Sequence, residues 1–394
     1  MGKISSRLDI IKPSATMAIT QKAGELKARG LDVIAFSAGE PDFETPDYIV
    51  KAAKKALDDG LTRYTPATGT RELKEAVAQS SSQIRGVDCE INQVIIGVGA
   101  KHVLYNFFMA VLNEGDEVII PAPYWVSYPD QVRLAGGIPV FVTTKEDDSW
   151  ALTAEALEKA VTPKTRVVVI NSPSNPTGGV APVEILEKLI EKAVELDLIV
   201  ISDEIYRDII YDGVKFISPL ALAKENKDKI FVVDGVSKTF AMTGWRIGWG
   251  IGDPEIIAAM GKIQGQSTSN PTSIAQAASL LAVKTPMDFL EGWNRQYVER
   301  RDIMIERLNA IDGITCRVPK GAFYVFPNVE PLIKKLGSGK TDIDMAEWLL
   351  DEALVATVPG TPFGAPGYLR FSYATSKELI NEGLTRIENA FKKL

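Results

Sequence analysis

The chain of 394 residues contains one histidine, His102, and two cysteines, Cys89 and Cys316. A single imidazole leaves almost no material for a histidine-based metal centre or a serine-type triad. The cysteines stand far apart in no ligand spacing, which argues against a thiolate metal site and suits a reducing cytoplasm. Positive charge is also in short supply: 44 Lys and Arg face 51 Asp and Glu, giving a net charge of −7. Nucleic acid as the main partner needs a basic face, so this balance argues against it. No apolar run reaches the roughly 18 residues of a membrane span, and no membrane partner is expected. Met1-Gly2-Lys3-Ile4-Ser5-Ser6-Arg7 leads into mixed polar sequence without the apolar core of a signal peptide, so the expected location is cytoplasmic. Gly2 is a weak match to a myristoylation start.

What is present is an ordinary globular composition, 45% hydrophobic and 24% charged, on a chain long enough for a large domain and a smaller one. Short apolar runs predict strands over 93–97, 117–120, 166–170, 198–202 and 230–234. Amphipathic stretches over 100–112 and 182–196 predict helices between them, hence right-handed crossovers and a mostly parallel sheet covered on both faces. Residues 287–308 read as one long helix bridging into a second, α+β part. That part has strands over 321–327 and 367–372 and a helix over 342–352. The expected division is an N-terminal arm over 1–45 belonging to the small domain, a large domain over 46–286, and a linking helix with the C-terminal small domain over 287–394.

In a parallel α/β sheet, ligands bind outside the carboxyl ends of the strands. Five consecutive strand candidates here end in residues that suit one ligand. The first passes through Gly97-Val98-Gly99-Ala100-Lys101 into a helix, a start with free N–H groups that favours phosphate. It lacks the third glycine of a dinucleotide fingerprint. The second runs into Pro121-Ala122-Pro123-Tyr124-Trp125, whose aromatics serve as a core lid or stack on a flat ring. The third ends in Asn171-Ser172-Pro173-Ser174-Asn175-Pro176-Thr177-Gly178, a turn with an amide donor at Asn175. The fourth ends in Asp203, which caps a helix or else must be paired or carry a raised pKa, with Tyr206 three residues on. A protonated pyridine nitrogen suits that carboxylate.

The fifth strand stops at Gly235, and Ser237, Lys238 and Arg246 follow. A partly desolvated amine at the exit of a buried strand has a lowered pKa and attacks carbonyls. A guanidinium nearby suits a dianion bidentately. One amine nucleophile and one fixed guanidinium together suggest pyridoxal phosphate, an aldehyde carrying a phosphate.

With all five segments in this order, the chain resembles the fold-type I, class I pyridoxal-phosphate aminotransferases. Within them it is most similar to the bacterial-type aspartate aminotransferases, the subgroup that includes prephenate aminotransferases. The resemblance covers nearly the whole chain, from Lys12-Pro13-Ser14-Ala15-Thr16 and Ala38-Gly39-Glu40-Pro41-Asp42-Phe43 through Arg63-Tyr64-Thr65-Pro66 to Leu369-Arg370-Phe371-Ser372. It implies a seven-stranded, mostly parallel sheet in the large domain. It implies that Lys238 binds the cofactor covalently and then shuttles a proton between the substrate α-carbon and the cofactor. Asp203 would keep the pyridine nitrogen protonated, Tyr206 and Asn175 would bond the phenolic oxygen, and Trp125 would stack on the ring. Gly99, Ala100, Ser237 and Arg246 would hold the phosphate, with Tyr64 reaching in from the partner of an obligate homodimer. Arg370 would clamp the substrate α-carboxylate, helped by the Gly39 backbone.

Two departures stand out. Tyr128 occupies the place where some relatives carry a histidine supporting the aspartate, and Gly235 stands where others carry a serine, which leaves one phosphate contact open. The stretch 265–271 has no arginine to read a distal carboxylate. In the subgroup resembled, a lysine in the phosphate-loop helix does so, and Lys101 matches it; a cation there opposes the helix dipole, which is a reason to suspect function. The expected reaction is therefore transfer from L-aspartate to 2-oxoglutarate by a two-stage exchange. Lys12 and Thr16 match positions the family associates with amination of prephenate to arogenate.

Other readings remain beside this one. An aminotransferase for aromatic or neutral acids, or a lyase or decarboxylase on the same fold, uses the same cofactor. A non-catalytic regulator that senses the cofactor would carry a basic module ahead of residue 12, for which no room is expected. The run Leu336-Gly337-Ser338-Gly339-Lys340-Thr341 mimics a nucleotide phosphate loop, but Lys334 stands where that motif needs glycine, and it reads as a loop before a helix.

Overall fold

A computed structural model describes residues 4–11 and 15–394. Its strands, in chain order, are β1 (Ile34–Ala35), β2 (Val94–Gly97), β3 (Glu117–Ala122), β4 (Ile138–Thr143), β5 (Thr165–Asn171) and β6 (Ile199–Asp203). They continue as β7 (Ile230–Gly235), β8 (Gly248–Ile251), β9 (Tyr324–Val325), β10 (Val355–Ala356), β11 (Val358–Pro359) and β12 (Leu369–Ser372). Seven of them form one sheet in the order β2-β8-β7-β6-β5-β3-β4. β8 runs antiparallel to both its neighbours, and the remaining pairs in the sheet are parallel.

Both faces of this sheet are covered, so its strands are apolar on both sides and read as continuous runs rather than alternations. Ile96, Ile119, Val168, Val200 and Val232 pack toward the helices Asp47–Asp58, Arg71–Arg85, Val183–Glu195 and Ser273–Lys284. Their sequence neighbours Ile95, Val118, Val167, Ile201 and Phe231 pack toward Ala100–Val111, Ser127–Leu134 and Pro254–Ser267. The alternation is the strand period of two.

A second cluster joins the long helix Phe289–Asn309 to Asp342–Ala353, Lys377–Phe391 and the small sheet β11-β12-β9. The chain start belongs with it: β1 pairs in parallel with β10. The expected strand over 321–327 shrinks to β9. Ala322 has φ of +55° and bonds the Ile209 carbonyl through its amide, which turns the chain out of the extended conformation. The expected strand over 367–372 likewise begins only at Leu369, after Gly367 at φ +88°. Leu336 ends a helix and Thr341 caps the next through a reciprocal bond with Asp344, so the glycine-lysine run between them is a loop before a helix.

Candidate active site

The carboxyl ends of β2, β3, β5, β6 and β7 share one rim. Because β8 is reversed, its amino end comes to that rim as well, with Gly248 opposite both Gly97 and Gly235. This explains how a residue preceding β8, Arg246, reaches the same place as residues that follow the parallel strands. The three glycines are a steric requirement. A methyl group on Gly248 would stand 2.4 Å from the Ala100 amide nitrogen, and one on Gly235 would stand 2.9 Å from the Gly248 Cα. A serine at 235 has no room in this packing, so Ser237 is left as the nearby hydroxyl.

A cavity of about 720 Å³ opens at the rim. Its walls bring together Gly39, Ala100, Lys101, Trp125, Asn175, Asp203, Tyr206, Ser237, Lys238, Arg246 and Arg370. Gly99 lies just behind, at φ +85°, where a methyl group would meet the Arg246 guanidinium at 2.5 Å. Tyr64 does not line the cavity and is 91% exposed. Lys12 lies outside the described residues. Thr16 falls in the first helix, Ala15–Ala28, and its side chain also lies outside what is described.

The electrostatics sort the groups by task. Lys238 donates to the Gly39 carbonyl at 2.6 Å, and burial pushes its amine down to about 8. Glu40 holds the amine up, and Arg370 and Arg246 press it further down. Asp203 is buried and its carboxyl is pushed up to about 6 by desolvation, against hydrogen bonds from the Tyr128 hydroxyl at 2.6 Å and the Ile205 amide at 3.3 Å. No helix follows it; residues 204–208 form a turn, so it is not a helix cap.

Arg370 is buried, with Nη1 on the Asn175 side-chain oxygen at 2.9 Å, Nη2 on the Ser37 carbonyl at 2.8 Å, and Nε without a partner among the described residues. Its guanidinium lies 4.5 Å from the Tyr324 ring centroid. Arg246 sits at φ +57°, a costly conformation for a side-chain-bearing residue, braced by its own bond to the Thr243 carbonyl at 2.6 Å. Lys101 lies 4.9 Å from the centre of the Trp125 ring, and desolvation, then Arg246, lowers its pKa.

The sequence reading leaves out several residues at this site. Tyr324 bonds the Tyr206 hydroxyl at 2.8 Å, yet in the sequence it reads only as part of a strand. Glu40 lines the cavity and accepts from Thr243 at 2.6 Å; it stands in a quoted motif with no role attached. Phe363 lines the cavity from the three-residue 3-10 helix Thr361–Phe363, too short for any periodicity to flag it.

Comparison with known proteins agrees with this geometry. The sequence model described as aminotransferase class I and II matches residues 31–387. The chain is 47% identical to an aspartate aminotransferase of Geobacillus stearothermophilus over 98% of each chain. It is 44% identical to a protein named "Probable aspartate/prephenate aminotransferase" of Aquifex aeolicus over 99% of each. The crystal structure of the aspartate aminotransferase of Rhizobium meliloti superposes with a TM-score of 0.96 at 42% identity, covering 100% of both chains. The chain belongs to the class I and II aminotransferases, enzymes that depend on pyridoxal phosphate and act on amino and oxo acids. Its architecture is the fold-type I α/β fold.

The residues present fit that cofactor. The rim is stripped of side chains at Gly97, Gly235 and Gly248, and offers the free amides at the start of the helix Ala100–Val111, the Ser237 hydroxyl and the Arg246 guanidinium to a dianion. A buried carboxylate and an amine of lowered pKa complete the donor set.

Proposed function

We propose that the protein transfers the amino group of L-aspartate to 2-oxoglutarate, and that amination of prephenate to arogenate is a second activity. The observation that carries the choice of a dicarboxylic substrate is Lys101, a cation that lines the same cavity as Arg370 and is set over the Trp125 ring. A lysine at a helix start opposes the helix dipole, and this one is also partly desolvated. An anionic substrate group offsets both costs. The names of the relatives point the same way.

In this reading Ser237, Arg246, Gly99 and Ala100 would hold the cofactor phosphate, and Lys238 would hold its aldehyde carbon until the substrate amine takes its place and frees the lysine. Trp125 would cover its ring, Asn175 and Tyr206 would bond its phenolic oxygen, and Asp203 would keep a proton on its pyridine nitrogen. Once bound, the cofactor supplies an electron sink for the carbanion left at the substrate α-carbon. Arg370 and the Gly39 backbone orient the α-carboxylate so that the α-hydrogen faces the Lys238 amine. Pushed down to about 8 by burial, that amine has a far larger neutral fraction than an ordinary lysine, and in that form it takes the proton as a general base. Closure around the substrate excludes water and strengthens each of these charge contacts.

The proposal includes a homodimer, with Tyr64 serving the partner's site. Its support is a tyrosine exposed on a fixed loop: Gln276 accepts from the Thr70 amide at 2.8 Å, and Gln264 donates to the Ala67 carbonyl at 2.5 Å. It also includes the division at 45/46 and 286/287, supported by the separate packing of the large sheet and of the cluster around Phe289–Asn309. The cytoplasm is its proposed location, supported by two cysteines that are both free. No helix among the described residues is long and apolar enough to cross a membrane.

The test is an absorption spectrum of the cofactor-loaded protein titrated with L-aspartate, then with 2-oxoglutarate and with prephenate. Conversion of the cofactor band by aspartate, and its return with each acceptor, is expected. A band that aspartate leaves unchanged overturns the substrate reading. Absence of any lysine-dependent band, with Lys238→Ala indistinguishable from the unmodified protein, overturns the whole of it.

A further inference from the structure

Several buried charges adjoin the catalytic groups in sequence but line no part of the cavity. Arg207 donates through Nε to the Asp234 carboxylate at 2.7 Å and through Nη1 to Asp208. Asp208 accepts in turn from the hydroxyl of Thr239 at 2.8 Å. Asp234 is anchored a second time, by Arg85 at 3.1 Å, and Arg85 also holds Glu204.

These contacts begin where the sheet ends. The last backbone bond between the β6 and β7 chains runs from the Glu204 amide to the Val233 carbonyl at 2.8 Å. Past it, among the described residues, no further backbone hydrogen bond joins the turn 204–208 to the loop 235–239. The turn begins just past Asp203 and carries Tyr206; the loop carries Ser237 and Lys238. The side chains of Arg207, Asp208 and Thr239, with Asp234, close a ring across that gap.

We propose that Arg207, Asp208 and Thr239 are positioning residues for the transamination put forward above, locking the loop that bears Lys238 to the turn that follows Asp203. The inference rests on that functional reading for the identity of the reaction. Stability alone does not account for the ring, since buried ion pairs are commonly matched by apolar residues of the same volume. What the ring adds is direction. Thr239 is the residue after Lys238 and is 1% exposed, so its bond to Asp208 fixes the backbone from which the reactive amine extends. A displacement of about 1 Å at a reacting group costs up to about a hundredfold in rate.

The experiment compares Thr239→Val, which keeps the shape and loses the hydroxyl, with Thr239→Ser, which keeps the hydroxyl. Both are measured as holoenzymes for kcat and KM with L-aspartate and 2-oxoglutarate, for thermal midpoint, and for the pH midpoint of the cofactor absorption band. Neither substitution alters a charge, and Glu40, Asp203, Arg246, Arg370 and the Tyr206 phenol around Lys238 stay in place, so a moved midpoint reports geometry. For Thr239→Val, kcat is expected to fall about tenfold, with KM changed less than about twofold and a displaced pH midpoint; Thr239→Ser restores all three.

A Val variant that loses thermal stability while kcat and the pH midpoint stay at the unmodified values overturns the proposal. So does a Ser variant that behaves like Val. Arg207→Lys keeps the charge but lacks the fork that reaches Asp234 and Asp208 together; it is expected to move the midpoint as Val does, and if it fails to fold, the Thr239 pair decides. If the unmodified enzyme does not convert aspartate at all, the substrate reading fails separately, and the pH midpoints still decide whether the ring positions Lys238.

Discussion

The hydroxyl of Tyr128 donates to Oδ2 of Asp203 at 2.6 Å, with both residues buried. Burial pushes the Tyr128 phenol well up, so it remains a donor, and its bond opposes the desolvation that raises Asp203 to about 6. In Tyr128→Phe the carboxyl climbs further and becomes protonated at higher pH. The acid limb of the kcat/KM profile is expected to move upward, with a loss of roughly tenfold near pH 6 that shrinks toward pH 8. An unmoved limb means that this bond does not set the ionisation of Asp203.

The amine of Lys238 offers a second titration. Glu40 raises it against burial, Arg370 and Arg246. Glu40→Gln is expected to lower it further, and Arg370→Met to raise it. Acylation of Lys238 in cofactor-free protein, followed by mass spectrometry across pH, reads both midpoints. A Gln variant whose midpoint stays or rises contradicts the assignment.

Lys101→Ala removes the cation set over Trp125. Loss of a charge-assisted contact is worth about 1.5–3 kcal/mol, so kcat/KM for L-aspartate is expected to fall roughly 10- to 100-fold. An aromatic amino acid, which has no distal carboxylate, should lose much less. Equal losses for both would remove Lys101 from substrate selection.

Arg85→Met leaves Glu204 and Asp234 without one of their buried counter-charges. Breaking such a network from one side costs about 3–5 kcal/mol, to be read from the denaturant midpoint. Arg71→Ala, which breaks the exposed pair with Glu75, is the control and should move the midpoint little.

Legibility varied with how local the determinant is. The strands β2, β3, β5, β6 and β7 are apolar runs closed by turn residues, and each hands its site residue to the rim within a few positions. β4 and β8 are not legible in this way. Ile138–Thr143 contains Pro139 and lies at the sheet edge with Ile138 and Phe141 exposed. Gly248–Ile251 is half glycine and becomes a strand only through pairing on both sides. Phe363 reaches the cavity, and Tyr324 reaches the Tyr206 hydroxyl, from the far end of the chain, and Arg370 is named in advance only through the family resemblance. Direction of a side chain across two packed layers has no signature in local spacing.

The reversed strand also turns the interval between Lys238 and Arg246 into a ruler. Both of its ends are nailed to adjacent strands, at the Gly235–Gly248 register, so its length is fixed even where its composition is not. One residue more or fewer would either slip β8 and turn Trp249 and Ile251, which share one face, to the opposite face, or drag Arg246 from the cavity wall. Variation in this enzyme therefore has to enter by substitution in that segment and by insertion elsewhere.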